Sequence, residues 1–278
     1  MLKIGSYNTL EFVKEVEFGI YLASDQGEIL LPKKWVAEDW EVGDMIKVFI
    51  YTDSEDRLIA TTLTPKAVVG EFAGMDVKQV TDFGAFLDWG IEKDLLVPLR
   101  EQHRKLQEGQ HCVVRVCLDH KTNRVVGVAK LNAFINKDID ALEEGQAVDL
   151  LVYDATDLGM MALVNEEYAG MIYRNEIFEP VKIGDRHKGY IKKLREDGKI
   201  DLSLKPQGFK AVLNDQEGVL SALVSAGGFL PYHDKSDPEA IREVFNLSKK
   251  AFKKVIGTLY KEGRIRILPE GIQLVAAE

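Results

Sequence analysis

No apolar run in this 278-residue chain approaches the roughly twenty residues that a bilayer-crossing helix needs. The opening Met1-Leu2-Lys3-Ile4-Gly5-Ser6-Tyr7-Asn8 lacks the hydrophobic stretch of a signal peptide. The expected compartment is therefore the cytoplasm, with no membrane partner. Cysteine is scarce. Cys112 and Cys117 fall on one predicted strand, and their odd separation of five places them on opposite faces, which prevents pairing. Without His or Cys neighbours at metal spacing they make no zinc site and read as idle thiols of a reducing compartment. The sequon Asn246-Leu247-Ser248 has no secretion signal to give it meaning. The five histidines (His103, His111, His120, His187 and His233) are scattered, with no HExxH pair. A phosphate-cradling glycine loop ending in Lys-Ser/Thr is missing, as is a GxSxG elbow. The chain is expected to be no enzyme and to hold no cofactor or metal.

What the chain does have is a block repeated three times. A glycine opens each copy at Gly5, Gly70 and Gly145, and a second follows fourteen residues later at Gly19, Gly84 and Gly159. A third stands at Gly43, Gly109 and Gly184. Around the second glycine the segments Phe18-Gly19-Ile20-Tyr21-Leu22, Phe83-Gly84-Ala85-Phe86-Leu87 and Leu158-Gly159-Met160-Met161-Ala162 align with apolar neighbours in register. A period near seventy residues is too long for a solenoid unit, so each block is expected to close on its own core. The predicted domains are 1–65, 66–140, 141–210 and 211–278.

Within the second block, Val77 to Leu87 is β-rich and broken at Gly84, and Leu95-Leu96-Val97 is a short apolar strand. After Gly109, Cys112, Val114, Val116 and Leu118 alternate with Val113, Arg115 and Cys117, and Val125 to Val128 returns after a turn. About five short strands in some 65 residues predict a Greek-key barrel of the oligonucleotide-binding type. The fold class is thus mostly β: three tandem five-stranded barrels followed by an α+β domain. Glycine after Phe83 fits a strand that bends sharply to close a barrel.

Thr81-Asp82-Phe83-Gly84-Ala85-Phe86-Leu87, then Leu95-Leu96-Val97-Pro98, then Gly109 before an alternating strand, resembles the ribosomal protein S-one RNA-binding domain. In the third block Ala169-Gly170-Met171-Ile172-Tyr173 and Gly198-Lys199-Ile200-Asp201-Leu202-Ser203-Leu204-Lys205 match that domain's middle and last strands. The resemblance implies outward aromatics that stack on unpaired bases, each contact worth roughly 1–3 kcal/mol. The matching positions are Phe18, Tyr21 and Pro32, then Phe83, Phe86 and Pro98, then Leu158, Met161 and Tyr173. No block carries the full aromatic-aromatic-histidine set. Phe83 and Phe86 are the strongest stacking candidates, with core packing as the alternative, and Tyr173 with Arg174 is the third block's counterpart.

Net charge is −9 but unevenly spread. Residues 1–180 carry 18 Lys and Arg against 32 Asp and Glu, whereas residues 181–278 carry 18 against 13. Such asymmetry points to an anionic partner for the later part. Residues 181–210 alone hold nine basic residues, Lys210 the last of them, against four acids. If Gly189 and Ile191 point inward, Lys188, Tyr190 and Lys192 share the outer face, beside Lys193, in a pattern suited to a phosphate backbone and its bases. An ordinary solvated lysine-rich strand is the alternative.

From Asn214 the periodicity turns helical. Val219, Leu220, Leu223 and Val224 form a stripe that Gly227-Gly228 ends. Asp237-Pro238 opens a second helix carrying Ile241, Val244 and Phe245. Ser248 caps a third, with Phe252, Val255, Ile256 and Leu259 inward and Gly263 as terminator. Ile265 to Leu274 reads as a hairpin. Three helices and a hairpin resemble a winged helix, whose third helix docks on nucleic acid. Its first turns carry Lys249, Lys250, Lys253 and Lys254, point charges suited to phosphate, of RNA or DNA, rather than to bidentate base reading, with a plain solvated helix face as the alternative. Tyr260 and Arg264 extend this face.

Three such barrels and a winged helix at this length resemble the conserved virulence factor B family of bacteria. That resemblance implies a non-catalytic RNA-binding regulator acting after transcription, with single-stranded RNA as partner. Two alternatives stay open: a transcriptional regulator placing its third helix on duplex DNA, and a protein-docking adaptor in which the acidic early barrels meet ribosome or RNA-decay proteins.

Overall fold

The computed structural model describes residues 1–119, 121–177, 179–205, 209–245 and 247–275, with backbone alone for 209–214. His120, Asn246 and the Lys210 side chain lie outside the described residues. Three closed five-stranded barrels follow one another. The first comprises β1 (Ser6–Val16), β2 (Gly19–Ser24), β3 (Gly27–Pro32), β4 (Met45–Thr52) and β5 (Leu58–Thr61). The second comprises β6 (Phe72–Thr81), β7 (Gly84–Leu87), β8 (Leu95–Pro98), β9 (His111–Asp119) and β10 (Arg124–Val128). The third comprises β11 (Ala147–Ala155), β12 (Gly159–Val164), β13 (Tyr168–Tyr173), β14 (Arg186–Leu194) and β15 (Ile200–Ser203). Every barrel closes in the order first, second, third, fifth, fourth strand. The third and fifth strands run parallel, with Leu30 opposite Ile59, Leu96 opposite Val126 and Gly170 opposite Ile200.

The repeated glycines have separate jobs. A Cβ at Gly19, Gly84 or Gly159 would lie 2.2, 2.5 or 2.0 Å from the carbonyl oxygen of Leu31, Val97 or Ile172. The second strand therefore passes too close to the third for any side chain there. The expectation of a bend is sharpened into a close backbone approach. The third glycine works with a bulge in the first strand, which interrupts register between Phe12 and Lys14, Val77 and Gln79, and Val152 and Asp154. Just before each bulge, the carbonyl of Phe12, Val77 or Val152 accepts from the amide of Gly43, Gly109 or Gly184, at 2.8, 2.9 and 2.7 Å. All three of these glycines have positive φ, so bulge and glycine form one device that tightens the barrel mouth.

Strand alternation fills each core. Phe12, Leu22, Leu31, Val48 and Ile50 line the first barrel, Met75, Val77, Leu87, Val97 and Val114 the second, and Val148, Val152, Ile172, Ile191 and Leu202 the third. Cys112 joins the second core, while Cys117 lies half-buried on the opposite face of β9, as the odd spacing requires. Burial pushes the Cys112 thiol up to about 12, so it stays protonated and inert.

The outward face of the fourth strand docks the next barrel. On β4, Phe49 and Tyr51 are buried against the second barrel, with Phe49 edge-on to Trp89 at 5.4 Å. The Trp89 Nε1–H donates to the Ala67 carbonyl in the linker at 2.8 Å. On β9, Val113 packs with Phe72 and Leu131 against Leu151 and Leu163 of the third barrel. The Arg115 guanidinium lies over Phe72 and Phe134, 5.1 and 4.5 Å from the ring centres. Ion pairs add to the first junction: Arg124 to Asp56, and Lys34 to Glu92.

The C-terminal domain is built from α1 (Phe209–Ser225), β16 (Phe229–Leu230), α2 (Pro238–Phe245), α3 (Lys249–Lys261), β17 (Ile265–Leu268) and β18 (Gly271–Leu274). Asp237 caps α2 by accepting from the Glu239 and Ala240 amides, and the Ser248 hydroxyl accepts from the Ala251 amide to cap α3. Val219, Leu220, Leu223, Ile241, Phe252, Val255, Ile256 and Leu259 form the core. Val224 and Val244 were expected there but face solvent, 64% and 43% exposed, because each stripe is narrower than its apolar content suggests. The hairpin is joined by β16, giving the sheet order β16-β18-β17. No helix among the described residues is long and apolar enough to cross a membrane.

Candidate nucleic-acid interface

The turn between β6 and β7 places Phe83 on the surface, 60% exposed, while alternation turns Phe86 outward on β7. Their rings meet edge to face, 5.8 Å apart at an interplanar angle of 88°. The turn is held by the Thr81 hydroxyl donating to the Gly84 carbonyl and by the Leu99 amide donating to the Phe83 carbonyl. Phe83 contributes little to packing, so the core alternative considered for it does not hold. The first barrel repeats the arrangement with Phe18 and Tyr21, 6.4 Å apart at 84°, and Lys14 5.7 Å over the Tyr21 ring. The third substitutes exposed Leu158 and half-buried Met161. Pro32, Pro98 and Tyr173 stand directly opposite Gly19, Gly84 and Gly159, so the three positions matched from sequence are structurally equivalent.

Phe83 and Phe86 border a groove of about 420 Å³ at the junction of the first two barrels. Tyr51, Thr52 and Ser54 of the first barrel face Gln79, Leu96, Lys93 and Arg124 of the second across it. The Lys93 ammonium donates to the carbonyls of Thr52 and Asp53 at 2.5 and 2.8 Å, and burial holds its pKa below the ordinary lysine range. Burial, with Glu92 and Asp53 nearby, pushes the Tyr51 phenol up to about 12, which keeps it a hydrogen-bond donor. Lys93 and Arg124 escaped sequence reading because their positions depend on the neighbouring barrel.

In the third barrel Gly189 and Ile191 point inward, and Lys188, Tyr190 and Lys192 share the outer face of β14. Lys188 pairs with Asp149 at 2.6 Å in solvent, where such a pair is weak. Lys192 is held by Glu176, whose second oxygen accepts from the Ser203 hydroxyl at 3.0 Å. Lys193 is exposed and has no ion pair among the described residues. Tyr173 lies beside Arg195, whose guanidinium donates to the tyrosine oxygen at 2.8 Å and to both Asp201 oxygens at 2.8 and 3.0 Å. Arg195 was not singled out from sequence, although its six-residue spacing to Asp201 across a glycine turn was a usable signal. Arg174 is exposed next to Tyr173.

On α3, Lys250, Lys253 and Lys254 are exposed and Lys249 is half-buried, with Lys253 3.6 Å from Asp234. The first turn contains no acid. Cations at a helix N-terminus oppose the dipole, so these lysines reduce helix stability where they stand. Tyr260 is 58% exposed farther along the same helix. The structure thus leaves three separate groups: the Phe83–Phe86 groove, the outer face of β14 with Tyr173, and the start of α3.

Tandem barrels of this topology with outward aromatic pairs, followed by three helices and a β-ribbon, define a multidomain protein of nucleic-acid-binding type. The S1 domain family matches residues 4–63 and again 69–127, and the CvfB-like winged helix domain matches 217–274. YitL of Bacillus subtilis is 32% identical over 95% of this chain and 91% of its own length. Conserved virulence factor B of Staphylococcus epidermidis is 29% identical over 95% of this chain and 92% of its own. Among solved structures, a multidomain protein with nucleic acid binding domains from Streptococcus pneumoniae aligns at 27% identity over 98% of both chains, with a TM-score of 0.48. The chain belongs to the conserved virulence factor B family.

Proposed function

We propose that this protein binds single-stranded RNA without catalysing its turnover and acts in post-transcriptional control. The observation that carries the reading is Phe83, a large ring left in solvent edge-on to Phe86 at the mouth of a groove furnished with Lys93 and Arg124. Aromatic faces of this kind accept any unpaired base, and cations beside them serve the backbone. The outer face of β14 (Lys188, Tyr190, Lys192) with the adjacent Lys193, Tyr173 with Arg174, and the lysines of α3 supply further binding groups.

Replacing both Phe83 and Phe86 by alanine is expected to weaken binding of a single-stranded oligoribonucleotide at least tenfold, from roughly 1–3 kcal/mol per stacked base. Fluorescence anisotropy measures it, and an unchanged affinity overturns the reading.

The four lysines opening α3, placed against the helix dipole, favour one second reading: a duplex contact by the winged helix. Competition between single-stranded RNA and duplex DNA for the full chain separates the two, since a single-strand binder is displaced by RNA at far lower concentration. Ribosome or RNA-decay proteins remain proposed partners for the acidic first barrels, tested by pull-down after nuclease treatment.

A further inference from the structure

A second groove, of about 620 Å³, lies at the junction of the second and third barrels. Two of its lining positions repeat those of the first. Met161 occupies in the third block the position of Phe86 in the second, sixteen residues after the opening glycine, and Asp154 occupies that of Gln79. Both pairs line their respective grooves. The volume is ample for a nucleotide, since small-molecule sites run about 300–1,000 Å³.

The lining reverses the local charge. The first 180 residues are strongly acidic, yet Asp154 is the one carboxylate among the described lining residues, and Arg104 pairs with it. Arg104 is 58% exposed and keeps donors free beyond that pair. Lys130 is exposed with no ion pair among the described residues, and His103 stands beside Arg104. Gln110 uses its oxygen to accept from the Gln107 amide, which leaves its NH₂ for a base edge. Met161, Tyr153 and Ile183 supply the apolar wall. The floor is fixed: the His111 Nδ1 is 2.7 Å from an Asp76 oxygen, and its ring fills space where a Cβ on Gly74 or Gly184 would stand, 2.4 and 2.3 Å away.

We propose that this second groove holds a nucleotide of the same single strand that stacks on Phe83 and Phe86, with its phosphate against Arg104 and Lys130 and its base against Met161. The proposal rests on the functional reading above. It makes the polynucleotide path continuous across two barrel junctions rather than confined to one barrel face.

The test uses the full chain and labelled oligouridylates of roughly four and roughly sixteen nucleotides, the range of site sizes for one barrel. Lys130→Glu is expected to weaken the long oligomer about tenfold and to leave the short one unchanged. Met161→Phe, which restores an aromatic at the position of Phe86, is expected to tighten the long oligomer at least fivefold. Wild-type affinity for the long oligomer in both variants overturns the second groove alone. Tight binding of free uridine monophosphate that Lys130→Glu abolishes, with no dependence on oligomer length, overturns the continuous path. A wild type that binds no oligouridylate of either length sinks the functional reading itself.

Discussion

Single residues in this chain are explained by what lies opposite them. Gly84 is required because the Val97 carbonyl occupies the space of its Cβ, and Phe83 beside it, in the turn that leads into the same strand, is exposed. Charged residues follow a similar rule. Asp88 accepts from Lys66 at 2.8 Å and lies 3.1 Å from the Lys78 ammonium; these two hydrogen bonds, Lys66 first, hold its carboxyl at about 2 against the ordinary 3.8. A carboxyl lowered on folding stabilises the native state above its unfolded pKa, and that stabilisation is lost as pH falls through the folded value. Chemical denaturation is therefore expected to show stability contributed by Asp88 draining away between about pH 4 and pH 2. Asp88→Asn should remove that part of the acid slope while leaving the slope elsewhere unchanged.

At the scale of elements, the fourth strand of each barrel is the informative one. Its outward positions are Lys47, Phe49 and Tyr51 in the first block, Val113, Arg115 and Cys117 in the second, and Lys188, Tyr190 and Lys192 in the third. Phe49 and Tyr51 of the first set and Val113 of the second are covered by the next barrel, whereas Lys47 stays exposed and the third set leaves Lys188 in solvent. One strand position thus serves as a docking face twice and as a basic surface once. Phe49 is fully buried at the first junction, so Phe49→Ala is expected to cost about 3–5 kcal/mol, measured by urea denaturation, and to loosen the first two barrels together. The same reasoning separates the lysines of β14. Reversing Lys192 would set a carboxylate against Glu176 and disturb the fold, while Lys193→Glu alters charge alone.

At the scale of the whole molecule, an acidic chain presents its cations in patches. The barrel junctions are closed by apolar and aromatic packing, whereas the described contacts of the winged helix with the third barrel include a 3.4 Å hydrogen bond from Arg242 to the Ile177 carbonyl. A chain ending at residue 205 is expected to keep three folded barrels with an unchanged thermal transition for them. Its RNA affinity should fall less steeply with salt than that of the full chain, the slope dropping by about 0.7 for each phosphate that α3 no longer neutralises. Anisotropy titrations at two salt concentrations measure the difference.

The sequence alone determined the number of barrels, their strands, the outward aromatic positions and most of the helical core, because each depends on a local constraint. A glycine must stand where two backbones touch, outward and inward residues must alternate along a strand, and a cap must precede a helix. Repetition then marked these constraints three times in register. Only the tertiary structure decided which outward faces are hidden and which are open. Phe49 and Phe83 are both outward-facing phenylalanines, yet one is sealed by Trp89 and the other meets water. The two grooves also belong to the tertiary level, since each is made by residues of two barrels that no single block brings together. Burial at a junction depends on the neighbour that arrives there, and no pattern within one block encodes that neighbour's position.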